Sequence, residues 1–438
     1  MLLAAASATY AQAPGPIALR GARIVTVSGP VLEKGTVLLR NGLIEAVGEN
    51  VDLPKDAWIV DGQGITVYPG LIDALSTVGL PETPTQPATP ARTEAPATPR
   101  GGEPAMPVEQ GPQFRPFTTS WVRAADLLNP ADRRIEETRS AGFTSVVAFP
   151  STGIFAGEGA FLNLSGEKQG RMVVASPTGQ YVTLTSHGFG TYPGSLMGVI
   201  AYIRQLSFDA DHYKLEMQAY ASHPVGQKRP PYDRAVEGLL ESPRLLLPAD
   251  DAKQVDRMLR FAAELKRPAV LYGGHQAYKI ADRVAQSSLP LLINLKWPEK
   301  PKDADPDQEE SCRTLELRDR APSSPAALEK AGAHFAFYSG GTAAKDLRKA
   351  VKRAIDAGLS ESAAVRALTL STAEIYGVAD RVGSIEPGKI ANLLVVKGNL
   401  FDEKAKIQYV FIDGVKYEPV PETPPADREG RSAPGGVE

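Results

Sequence analysis

Side chains able to bind a metal or move a proton are thinly spread along this chain. Its 438 residues include five histidines, His187, His212, His223, His275 and His334, and one cysteine, Cys312. A hydrolytic metal centre needs three or more imidazole, thiolate or carboxylate donors aimed at one point. The single local cluster is "DADHYKLE", where Asp209, His212 and Glu216 stand at i, i+3 and i+7 and share a helical face. That trio is a candidate ligand set, although solvated helix faces carry the same pattern routinely. His275 in "YGGHQAY" follows a short apolar run and two glycines. It is the best single candidate for a relocated ligand, and the bland reading is an imidazole bonded to backbone at a helix start. Ser186 and His187 are adjacent, but a nucleophile and its base converge through the fold and need an orienting carboxylate. No H-E-x-x-H, C-x-x-C or G-x-S-x-G run occurs.

The totals narrow the class. Hydrophobic residues make up 42% of the chain, enough for a large core and two or three domains. Lys and Arg number 48 against 51 Asp and Glu, so no strong field invites nucleic acid or an anionic membrane. A lone cysteine excludes an internal disulfide. No apolar run approaches the ~20 residues of a membrane span. The opening "MLLAAASATYAQAPGP" has a short apolar stretch and then Ala11-Gln12-Ala13, which suits a truncated signal peptide over residues 1–13 and a periplasmic or secreted location.

The elements that must position any site follow from periodicity. Residues 14–66 read as short strands, with Asn41-Gly42 placed for a two-residue type I′ hairpin. Residues 381–420 repeat the device around Asp413-Gly414. Neither segment is long enough to fold alone, so the two are expected to complete one β-sandwich built from both termini. Between them, residues 67–380 alternate helices and strands. In "NPADRRIEETRSAG", Asn129 reads as the N-cap, Pro130 as the first helical residue and Gly142 as the stop. In "ADDAKQVDRMLRFAAEL", Val255, Met258, Leu259 and Ala262 form an apolar helical stripe. Repeated strand–helix units with continuous apolar strands imply a parallel α/β sheet, closed as a (β/α)8 TIM-like barrel; an open doubly wound sheet is the alternative. Residues 81–118 hold ten prolines and almost no large aliphatic side chain, so this insert is expected to be disordered, as is the tail 421–438.

Taken in order, "GTVLLRNGLIEAVG", "VYPGLIDA", "RSAGFTSVVAFP", "ALTLSTAEIYGV", "RVGSIEPGKIANLLVV" and "VFIDGVKYE" resemble the amidohydrolase superfamily, and its imidazolonepropionase-like and periplasmic branch in particular. The resemblance covers nearly the whole chain. It implies a metal-bearing barrel flanked by a two-part sandwich, and hydrolysis of a C–N bond by metal-bound hydroxide. Within "ALTLSTAEIYGV", Ser371 and Glu374 are spaced as a capping box. "GTYPGSLMGVIAYIRQ" also resembles the branch; its Tyr192, Met197 and Tyr202 read as packing residues.

Placed on the family pattern, however, the ligand positions are empty of donors. The paired histidines of the first strand correspond to Leu75 and Thr77, further histidines to Pro248 and Gly273, and the catalytic aspartate to Gly340. Leucine, proline and glycine offer a metal no side-chain donor, and a neutral threonine hydroxyl is a poor one. Asp73 persists as a lone, structural carboxylate. The family's bridging lysine or glutamate has no clear counterpart between Gly166 and Gly194. The sequence therefore assigns no catalytic residue, no metal ligand and no cofactor. It points to a non-catalytic subunit or regulator whose partner is an active amidohydrolase relative, or to a homo-oligomer. The alternative is a C–N hydrolase with ligands relocated to His275, His187 or Asp209, and a third reading is a small-molecule binder using the vacated mouth.

Overall fold

The computed structural model describes residues 15–82 and 115–420, except 167, 187, 189, 190, 302, 304, 306–308 and 403. The expected signal peptide, most of the proline-rich insert and the tail lie outside the described residues.

The first strands in the chain are β1 (Ile17–Ile24), β2 (Leu32–Arg40), β3 (Leu43–Gly48), β4 (Trp58–Asp61) and β5 (Ile65–Pro69). The central ones are β6 (Leu71–Ser76), β7 (Phe143–Ala148), β8 (Phe155–Glu158), β9 (Ala160–Asn163), β10 (Val173–Ala175), β11 (Gln180–Val182), β12 (Leu245–Ala249), β13 (Ala269–Gly273), β14 (Leu291–Asn294) and β15 (Phe335–Tyr338). The last are β16 (Leu393–Lys397), β17 (Lys406–Ile412) and β18 (Val415–Tyr417). Among the described residues they form three sheets.

One sheet joins both ends of the chain in the order β18-β17-β16-β5-β1-β2-β3, with β4 also on β1. Strand β5 is the bridge, parallel to β1 and antiparallel to β16, with Val67 opposite Val395. The two halves assigned to a sandwich are thus one continuous hydrogen-bonded sheet. Both hairpins form at the expected dipeptides: Asn41 and Gly42 take φ of 52° and 80°, and Asp413 and Gly414 take 51° and 74°. Period-two alternation explains the unbroken apolar run of β16. Leu393 and Val395 join Leu19, Val37, Val67 and Phe411 on one face, while Leu394 and Val396 face the central body. Each such fully buried side chain is worth about 1.5–3 kcal/mol.

The central strands make an α/β body from two sheets, β10-β9-β7-β6 and β15-β14-β13-β12-β11-β8. From β11 to β15 the pairing is parallel throughout, as is β6 with β7. The departure from the expected uniform parallel arrangement is β8 and β9. They form one strand bent at Gly159 that runs antiparallel to β7 on one side and to β11 on the other, and so belongs to both sheets. Strand β15 lies beside β6. Leu246, Val270, Leu292 and Ala336 point to a shared interior with Ile72, Val147 and Phe161, while Leu245, Leu247, Leu271 and Ile293 face the helices.

The helix Ala252–Leu265 shows how the sequence sets these layers. Asp251 accepts from the Gln254 backbone N–H, a cap worth about 1 kcal/mol, and Val255, Met258, Leu259 and Ala262 are buried with Phe261. The helix after "NP" starts later than expected. It spans Arg133–Ser140 with Asp132 as its N-cap, whereas Asn129 accepts from the Ala131 N–H in the preceding turn. The expected capping box is also absent, because the helix Leu370–Tyr376 is entered from Thr369 and Ser371 already lies inside it.

A buried polar knot ties the terminal sheet to the central body. Ser145 Oγ and Asn392 Nδ2 both donate to Asn163 Oδ1 at 2.9 Å, Asn163 Nδ2 donates to Asp413 Oδ1 at 2.8 Å, and Asn392 Oδ1 accepts from the Asp413 N–H at 3.0 Å. Satisfied buried networks of this kind fix orientation, because any displaced partner leaves an unpaired group in a dry site.

Candidate functional site

The carboxyl ends of the parallel strands form a rim, and the positions singled out in the sequence lie along it. Leu75, near the end of β6, is buried against Ile72, Val147 and Phe149. Thr77, just beyond β6, is exposed, with the Arg134 guanidinium 3.4 Å from its hydroxyl. Pro248 sits within β12 opposite Tyr272 of β13.

The two glycine positions are more telling. Gly273 has φ +125°, and a Cβ placed on it would collide with the Asp250 carboxylate. Gly340 has φ +58°, and a Cβ there would fall on the Asn294 carboxamide. That amide is held in place, its Oδ1 accepting from the Lys296 N–H at 2.8 Å. Space that a histidine or aspartate would need is therefore occupied by neighbouring side chains.

Asp73 is buried beneath this rim. Its Oδ1 accepts the backbone N–H of Ser339 at 2.9 Å and lies 3.4 Å from that of Leu75, clamping β6 to the end of β15. Burial pushes its carboxyl up to about 6 against the opposing pull of these hydrogen bonds. Asp250 stands exposed at the rim, yet surrounding protein raises its carboxyl as well, with His275 partly offsetting the rise.

The candidate ligands do not converge. His275 Nε2–H donates to the Asn294 carbonyl at 3.2 Å, its ring 5.8 Å from that of Trp297, and burial lowers its pKa. In the helix Leu196–Ser222, Asp209 pairs with Arg115 at 3.0 Å, while His212 and Glu216 face each other at 3.1 Å on the exposed side. His223 caps that helix in the open, and His334 pairs with Glu374 at 3.3 Å at the start of β15, at the end opposite the rim. His187 lies outside the described residues. Of the aromatic stretch, Tyr202 packs, its hydroxyl 2.6 Å from Thr118 Oγ1, but Tyr192 and Met197 are exposed. Among the described residues no three His, Cys, Asp or Glu side chains are grouped to hold a metal ion. The donor set and the filled glycine positions do not fit the metal centre that the family pattern implies.

A cavity of about 370 Å³ opens at the rim, lined by Asp73, Phe149, Tyr181, Tyr338 and Ser339 among others. Phe149, Tyr181, Tyr272 and Tyr338 form an arc of rings with successive centroids 6.0, 5.1 and 6.4 Å apart. The Tyr272 hydroxyl donates to the Val182 carbonyl at 2.9 Å. Burial raises the pKa of all three tyrosines. A signal did exist, since "QYV", "VLYGG" and "AFYSGG" each place a tyrosine at or near a strand end.

Comparison with known proteins agrees with this architecture. The profile of the Amidohydrolase family matches residues 294–416. An amidohydrolase from Thermotoga maritima MSB8 superposes with a TM-score of 0.73 at 27% identity, covering 92% of this chain and 100% of that one. The chain is similar to members of the amidohydrolase superfamily in its carboxyl-terminal sequence and in its overall fold. Other members share the fold at lower identity. A prolidase complexed with N-methylphosphonate-L-proline has TM-score 0.55 and 17% identity over 92% of this chain and 99% of its own. Phenylurea hydrolase B has 0.53 and 15%, over 92% and 97%. Adenine deaminase of Moorella thermoacetica is 40% identical over 68 residues, which are 16% of this amidohydrolase-fold chain and 11% of that relative.

Proposed function

We propose that this chain is non-catalytic and serves as a subunit or regulator of an active amidohydrolase relative. The two central sheets, sharing the bent strand at Gly159 and clamped from Asp73 to Ser339, are read as a closed (β/α)8 barrel. The observation that carries the functional reading is the rim itself. Asp250 and Asn294 occupy the space above Gly273 and Gly340, and Leu75 is packed as core. Metal-assisted hydrolysis needs an open site lined by several converging donors, and among the described residues no three such side chains are grouped at those strand ends.

Fold does not fix activity, so a chain with this rim is expected to act through its surface. Met197, Phe208 and Leu215 on the helix Leu196–Ser222, with Val225 and Tyr232 beyond it, are exposed apolar side chains that suit a protein contact. With a leader at residues 1–13, the pairing takes place in the periplasm or outside the cell. Relocated ligands draw no support from the geometry, since His275 is spent on a backbone carbonyl and Asp209 on Arg115.

Purification from native cells, with elemental analysis of the recovered complex, tests the reading. Recovery with an amidohydrolase relative, the metal residing in the relative, is the expected result. A homomer carrying stoichiometric zinc, manganese or iron and turning over a dipeptide or cyclic imide overturns it.

A further inference from the structure

We propose that the cavity at the rim is a receptor site for a compact organic cation bearing an ammonium group. This goes beyond the role suggested above and holds whether or not the chain pairs with a relative.

Three features of the cavity converge on that chemistry. Its wall is aromatic: Phe149, Tyr181 and Tyr338 line it, and Tyr272 completes the arc between the two tyrosines. The rings are tilted against one another, by 41° between Phe149 and Tyr181, 33° between Tyr181 and Tyr272 and 86° between Tyr272 and Tyr338. An ammonium among several ring faces is attracted by each ring's quadrupole, and the gain grows as water is excluded. The charge of the lining is negative. Asp73 and Glu137 both line the cavity, while the one cationic lining residue, Arg134, is already held by Asp132 at 2.6 Å and by the Leu80 carbonyl. An anionic ligand would meet two lining carboxylates and a guanidinium already engaged by Asp132, with only the start of the helix Ala344–Asp356 in its favour. The volume, about 370 Å³, suits a small molecule rather than a peptide segment.

The site is also built rather than merely vacant. Asp73 is fixed by the Ser339 N–H, and Tyr272 is anchored through its hydroxyl to Val182. Rings held in this way need little ordering on binding, which is where small ligands lose most affinity.

Calorimetric titration of the full chain tests the proposal with tetramethylammonium, choline and butylammonium. The neutral carbon isostere of choline, 3,3-dimethylbutan-1-ol, and acetate serve as controls. Choline is expected to bind about tenfold more tightly than its isostere, a factor that one or two cation–π contacts supply, and acetate not at all. Tyr338→Leu and Tyr181→Leu should each weaken choline binding about fivefold or more, Tyr338→Phe should retain it, and Asp73→Asn should reduce the preference for charge. Unchanged denaturation midpoints in the tyrosine variants separate loss of the site from loss of the fold. Equal affinity for the neutral isostere, or no heat from any ammonium probe at tens of millimolar, overturns the proposal.

Discussion

The two sides of the rim differ in how the positions of the family's ligand residues are filled. Along β13 to β15, Asp250 and Asn294 stand where a Cβ on Gly273 or Gly340 would go, although Gly340 also borders the cavity. Along β6 and β7, Leu75 folds into the interior, Thr77 stays exposed, and a cavity remains between Phe149 and Tyr338. The type of residue at such a position thus has two distinct physical consequences. At a glycine a neighbouring side chain can take the Cβ position, whereas an aliphatic or hydroxylated side chain keeps its own place.

The difference is easiest to break at Gly340. Gly340→Asp forces a Cβ onto the Asn294 amide from a left-handed backbone and is expected to cost about 3–4 kcal/mol by urea denaturation, the sum of overpacking and an αL penalty. Adding Asn294→Ala should restore part of that loss. Full stability in the single variant would mean that Asn294 does not hold that position.

Asp73 gives the next largest effect. Its folded carboxyl titrates near 6, above its ordinary value of 3.8, so between these limits the folded chain holds a proton that the unfolded chain has released. Stability from this group is greatest below about pH 4, falls as pH rises toward 6 and is flat above, a change of up to ~3 kcal/mol. Asp73→Asn removes that slope. Asp250 and Glu158, also raised by burial, contribute in the same direction, so the comparison is between wild-type and variant unfolding curves at each pH.

Smaller effects sharpen the contrast. His275→Ala loses one half-buried hydrogen bond to Asn294 and should cost about 1 kcal/mol with no change in metal content. Thr77→His, on the open side, should stay within about 0.5 kcal/mol of wild type. Joined to Leu75→His, it supplies two imidazoles without partners, and the double variant is expected to take up no stoichiometric zinc by elemental analysis.

Much of the scaffold could be read from the sequence because local rules decide it. Asn41-Gly42 and Asp413-Gly414 admit the positive φ values that their turns demand, and the stripe from Val255 to Ala262 has one way to be buried. Local rules failed where two nearby groups could serve. Asn129 and Asp132 can both cap, and the helix takes the later one. Glu374, spaced for a capping box, pairs instead with Arg366 and His334, which come from other elements. The run "FAGEGAF" is too short and glycine-rich to announce a strand that reverses direction. The occupation of space by Asp250 and Asn294 could not be read at all, since it depends on which side chain of a neighbouring strand leans across. The residue types at 75, 77, 248, 273 and 340 were legible; the aromatic arc that stands nearby was not.

The bridging of β1 and β16 by β5 has a consequence for how the chain comes off the ribosome. Val67 finds its partner Val395 more than three hundred positions later, so one edge of the early strands has nothing to pair with until almost all of the polypeptide has emerged. Until then that edge has the unpaired N–H and C=O groups of an open sheet edge, a template on which other chains can add.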